Sequence, residues 1–202
     1  MNSEQFKALV ADGHNRIPVV CDVLADLETP LSVYLKLAEG PYSYLFESVQ
    51  GGEKWGRYSI IGLPAARIIK ISGNTVVTEE NGELISTEVV DDPLSYIESL
   101  QKSFNVAEIE GLPRFYGGLV GYFGYDTIRY IEPKLAHCPN PDHIDNPDIL
   151  LMVSDEVVVF DNLSGRMFVV VHAEPGRGDT LESCQKRLND IIDKMSQPVK
   201  RP

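Results

Sequence analysis

Apolar residues recur along the chain with two periods, and the points where one gives way to the other divide it into helices and strands. A period near 3.6 predicts a helix that Ser3 caps and that runs to about Asp12, and a second from Thr29-Pro30 to the Gly40-Pro41 stop. A third opens at Asp92-Pro93, with Leu94, Ile97 and Leu100 on one face. The fourth follows Asp179-Thr-Leu-Glu182, which has the form of a capping box, and carries the stripe Leu181, Cys184, Leu188, Ile191, Ile192 and Met195. Alternating or continuous apolar runs predict strands at 17–24, 42–48, 56–62, 66–72, 148–153, 155–161 and 167–172. Asn81-Gly82, between runs 75–79 and 84–90, predicts a hairpin. The glycine-rich block 117–126, if extended, places Leu119, Gly121, Phe123 and Tyr125 on one face and leaves Gly118 and Gly124 as bare backbone for a neighbour to approach. Residues 134–147, rich in Pro, Asn and Asp, read as a loop.

Runs of strands between single capped helices point to an α+β fold of two packed, largely antiparallel β-sheets with flanking helices, rather than to a parallel α/β sheet. A helix followed by strands occurs at 29–72 and again at 92–126, which suggests a weak internal α-β-β repeat.

Composition narrows the chemistry. The length of 202 residues allows one large domain or two small ones. A net charge of −12 with no basic stripe argues against nucleic acid or an anionic membrane as partner. Cys21, Cys138 and Cys184 are odd in number and far apart, so neither a disulfide framework nor a CxxC site is indicated. The start of the chain lacks the regions of a signal peptide and no apolar run approaches ~18 residues, which makes the cytoplasm the expected location. His14, His137, His143 and His172 lack metal spacing, and the clusters Asp22, Asp26, Glu28 and Asp142, Asp145, Asp148 read as solvated loop carboxylates. No GxSxG, P-loop or HExxH pattern is present.

One strand stands out. Tyr42, Tyr44, Phe46 and Ser48 share a face at period two, with Ser43, Leu45 and Glu47 opposite, so an aromatic surface ends in a hydroxyl. That face suits a flat aromatic molecule, although a core strand closing in a turn serine fits the same spacing. The segments Tyr44-Leu-Phe-Glu-Ser48 and Trp55-Gly-Arg-Tyr-Ser-Ile-Ile-Gly62 resemble the "LLES" signature and following strand of the N-terminal domain of anthranilate synthase component I. The block Gly117-Gly-Leu-Val-Gly-Tyr-Phe-Gly-Tyr-Asp126, with Arg129-Tyr-Ile-Glu132 after it, resembles a third part of that family, and the three come in the family's order.

The resemblance implies that 1–196 is the regulatory N-terminal domain and 197–202 the start of a linker to a C-terminal chorismate-binding domain. In the family, component I is a lyase that converts chorismate and ammonia, supplied by a glutamine amidotransferase subunit (component II), to anthranilate and pyruvate. The resemblance places no catalytic residue, metal or cofactor in this segment and assigns the Mg²⁺ to the C-terminal domain, so the segment alone is expected to be inactive. It implies feedback inhibition by L-tryptophan, with Ser48 as the marker residue, Glu47 beside it for the ammonium and Arg57 for the carboxylate. Phe46 replaces the second leucine of the signature and narrows the pocket. Two rivals remain open at this point: the corresponding domain of aminodeoxychorismate synthase, which the Trp55–Gly62 block disfavours, and a stand-alone amino-acid-binding or interaction module.

Overall fold

The computed structural model describes residues 1–25, 27–47, 56–136 and 144–199. Along them run α1 (Ser3–Ala11), β1 (Ile17–Leu24), α2 (Pro30–Leu37), β2 (Tyr44–Glu47), β3 (Tyr58–Gly62), β4 (Arg67–Ser72), β5 (Thr75–Glu80) and β6 (Glu83–Val89). They are followed by α3 (Pro93–Ser103), β7 (Gly118–Phe123), β8 (Ile149–Ser154), β9 (Glu156–Asp161), β10 (Arg166–Ala173) and α4 (Leu181–Met195). The fold is α+β with two antiparallel sheets and flanking helices, as the alternation of strand runs and single helices required. The chain divides into two compact units, residues 1–65, 104–118 and 154–202, and residues 66–103 with 119–153.

The first unit holds the sheet β1-β10-β9-β3-β2. Leu45, Ile61, Val158, Val169 and Cys21 are successive partners across its five strands. That row lies on the face that packs against Phe6 of α1, Val33 and Leu37 of α2, and Cys184, Leu188, Ile191 and Met195 of α4. Each such aliphatic side chain, fully buried, contributes about 1.5–3 kcal/mol, which is why the stripe on α4 docks here. On the opposite face Val157, Val159 and Val170 lie under Val20, Tyr58, Ile60, Tyr116 and Phe168.

The second unit holds the sheet β6-β5-β4-β8-β7. Asn81 and Gly82, both at positive φ, make the tight turn between β5 and β6 that their dipeptide predicts. Ile68, Ile69, Ile71, Val76, Ile149, Leu151 and Val153 are its buried aliphatics.

Several local expectations need correction. Asn2 rather than Ser3 caps α1, in a reciprocal box with Gln5. At α4 the cap is Thr180 and its box partner is Ser183, because Asp179 already accepts from the backbone N–H of Glu174. The α-β-β repeat does not form: β2 and β3 enter one sheet, β4 enters the other, and α3 is followed by β7 alone before the chain turns irregular. In the glycine-rich block the tightest approach falls on Gly121, where an added Cβ would stand 1.9 Å from the carbonyl oxygen of Leu150. Gly124 approaches the Asp148 carbonyl, but Gly118 has open space around it. Past Gly124 the backbone closes a 3₁₀ turn, Tyr125–Tyr130, so Tyr125 leaves the strand face and is exposed.

Candidate functional site

The edge strand β2 positions the residues singled out in the sequence. It begins at Tyr44 because Tyr42 adopts a left-handed φ of 59° and lies outside the ladder. Tyr44 and Phe46 do share a face, their rings 4.8 Å apart, while Leu45 turns to the helix-covered core. Tyr44 packs over Gly62, its cross-strand partner: a Cβ there would stand 1.9 Å from the ring, so only glycine leaves room. The phenol shares a 2.8 Å hydrogen bond with the Ser154 hydroxyl, and burial pushes its pKa up to about 12. This half of the aromatic face is therefore committed to packing, whereas Phe46 is about half exposed and available to a ligand.

Glu47 is the last residue of β2, exposed and opposite Ser59, on the same side of the strand as Leu45. Ser48, like Trp55, lies outside the described residues. Arg57 precedes β3 and is held by a partner that sequence reasoning missed: its Nε and one Nη donate to the two carboxylate oxygens of Asp161, at 2.9 and 2.7 Å. Its guanidinium lies 4.9 Å from the centre of the Tyr58 ring. The other Nη has no partner among the described residues. The signal for the pairing lay in the hairpin 155–161/167–172, whose first strand ends in Asp161 one step from Arg57 across the ladder.

Asp161 is nearly buried, and the Arg57 guanidinium draws its pKa down to about 2. An unfolded aspartate titrates near 3.8, so this pair contributes stability that is complete above about pH 4 and lost as pH falls toward 2. The gap in melting temperature between the protein and Asp161→Asn should therefore be widest near neutrality and close across that window. A gap that stays constant down to pH 2 would show that the ionised pair is not its source.

Three members of the acidic clusters are engaged. Asp22 pairs with Arg166, Glu28 with Lys36 and Ser32, and Asp148 accepts from Tyr130 and the Gly73 N–H, while Asp26 and Asp142 lie outside the described residues. Among the described residues no group of three or more His, Cys, Asp or Glu is placed to hold a metal ion. No helix there is long and apolar enough to cross a membrane. A separate cavity of about 650 Å³ is lined by Tyr34, Leu37, Leu63, Glu156 and Lys194, among others. Burial holds the Glu156 carboxyl above its ordinary pKa, with Arg187 at 3.8 Å.

The first unit thus carries a glycine-backed aromatic edge strand, with Arg57 just before the neighbouring strand β3. The comparisons with known proteins place it further. The chain is 53% identical over 199 residues to anthranilate synthase component 1 of Pseudomonas putida, which covers 98% of this chain and 40% of that protein. It is 54% identical over 201 residues to the protein of the same name from Pseudomonas aeruginosa, with the same coverage. The chain belongs to the anthranilate synthase component I family and spans about 40% of the length of the curated relatives it matches. No protein-family profile matches it. Among solved structures, anthranilate synthase component I from Streptococcus pneumoniae superposes with a TM-score of 0.54 at 23% identity, over 87% of this chain and 37% of that one, a likeness of fold.

Proposed function

We propose that the chain is the N-terminal, tryptophan-binding regulatory part of an anthranilate synthase component I. The observation that carries this reading is the similarity, along 98% of the chain, to relatives of that name. The residues at the end of the strand are of the right chemistry for it: Glu47 is an exposed carboxylate for an ammonium and Arg57 a cation for a carboxylate, while the half-exposed Phe46 ring lies on the other side of β2. Ser48, next in sequence after Glu47, supplies the hydroxyl. The whole enzyme, working in the cytoplasm as a lyase with its glutamine amidotransferase subunit, converts chorismate to anthranilate, and the chorismate and Mg²⁺ sites lie in its C-terminal domain.

Tryptophan inhibition curves of full-length component I test the effector site. Ser48→Ala removes a hydrogen bond to a charged group, worth about 1.5–3 kcal/mol, and should weaken inhibition roughly 10- to 150-fold. Uninhibited turnover should hardly change, because an effector contact adds nothing to the transition state. Superimposed curves would make Ser48 a structural serine. A second measurement bears on the division of labour: the 202-residue chain given chorismate, ammonia and Mg²⁺ should produce no anthranilate, and turnover by it would place chemistry in this segment after all.

A further inference from the structure

On the face of the first sheet away from the helices, a cavity of about 180 Å³ is lined by Arg16, Phe104, Arg114, Tyr116, Gly117 and His172, among others. Its floor is built tightly. Arg16 is almost fully buried, with ion pairs to Asp155 and Glu174 and its guanidinium 4.1 Å from the centre of the Phe104 ring. His172, only 4% exposed, stacks on Tyr116 with ring centres 5.8 Å apart. Its Nδ1 lies 3.2 Å from the carbonyl oxygen of Asp155, which only accepts, so the proton sits on Nδ1 and the other ring nitrogen carries a lone pair. That Nε2 has no partner among the described residues, and the ring forms part of the cavity wall. Burial also holds the imidazole below its ordinary pKa, which keeps it neutral and accepting. Arg114, at the exposed margin, likewise has no hydrogen bond or ion pair with a described residue.

An acceptor on a cavity wall without a protein donor takes its hydrogen bond from water or from a ligand group. The volume decides which ligands fit: a cavity of about 150 Å³ suffices for one benzene ring, and drug-sized molecules need about 300 Å³ or more. We infer that this cavity is a second binding site, for a single-ring carboxylate that carries a hydrogen-bond donor, with the donor on His172 Nε2, the ring beside the Tyr116 and Phe104 side chains and the carboxylate toward Arg114. The site does not rest on the tryptophan reading, since neither Phe46, Glu47 nor Arg57 lines it.

The probe is 3-hydroxybenzoate, titrated into the 202-residue chain while the ring nitrogens of His172 are followed by NMR. The Nε2 resonance should move saturably, and benzoate, which lacks the donor, should bind roughly two- to ten-fold more weakly. Arg114→Gln, at an exposed and unpaired position, should leave the melting temperature unchanged and weaken binding roughly ten-fold or more. A His172 ring unmoved by the probe would overturn the proposal, as would equal affinities for the parent and Arg114→Gln. Benzoate binding as tightly as the probe would remove the imidazole from the recognition and overturn it too.

Discussion

Gly121→Val should be among the most damaging single changes in this protein, costing about 3 kcal/mol or more. Its missing Cβ is what lets β7 lie against β8, for an atom there would stand 1.9 Å from the Leu150 carbonyl oxygen and 3.0 Å from the Leu151 Cα. Both obstacles are backbone, so no side-chain rotation relieves the overlap. Ordinary overpacking costs about 1–3 kcal/mol because flexible neighbours give way. Here a strand must move or the pairing must break. Thermal melts of Gly121→Val beside Gly118→Ala would check the assignment, since Gly118 has open space and suffers only from its backbone angle. Equal stability of Gly121→Val and the parent would mean that β7 does not approach β8 this closely.

Arg16→Met should destabilise by about 3–5 kcal/mol for a different reason. Arg16 stands between Asp155 and Glu174, whose side chains are 24% and 18% exposed, and its removal leaves two like charges facing each other with little water to screen them. Its backbone is also engaged: the Arg16 carbonyl accepts from Ala107, and its N–H donates to Asn105, which ties residues 104–107 to the edge of β1. Those bonds survive the substitution, so the loss measures the charges. The double replacement Asp155→Asn with Glu174→Gln in the Arg16→Met background should recover much of the stability. If it recovers none, packing of the long side chain on Phe104 is the larger part of its role.

The strands and helices were legible where a local pattern suffices. Asn81-Gly82 needs nothing beyond two residues that tolerate positive φ, and the stripe on α4 needs only its own periodicity. What the sequence hides is pairing between distant segments. Gly118 and Gly124 read as the glycines a neighbour approaches, yet the tightest contact falls on Gly121, because it depends on where β8 arrives beside the strand. Arg57 reads as a free cation because Asp161 is more than a hundred residues away, and His172 reads as an isolated histidine because its value as an acceptor is set by the Asp155 carbonyl and the cavity over it. Tyr42 was counted into the aromatic strand because period two cannot register a left-handed backbone. Of the candidate effector residues, Glu47 and Arg57 come to the same edge of the sheet, with Arg57 already half engaged.

The strand order of the first sheet also constrains the timing of assembly. β1 meets only β10, and β3 reaches β1 only through β9 and β10, so the strands that join this sheet together leave the ribosome well after the strands they must pair with. Until residue 173 has emerged, β1 has no partner, and the pair β2 and β3 is an isolated hairpin too small to persist in water. The second sheet is less delayed, because β4, β5 and β6 follow one another directly and need only local turns. A nascent chain of this protein therefore carries an unpaired apolar strand, Ile17–Leu24, until β10 has been made about 150 residues later, a natural client for a holding chaperone.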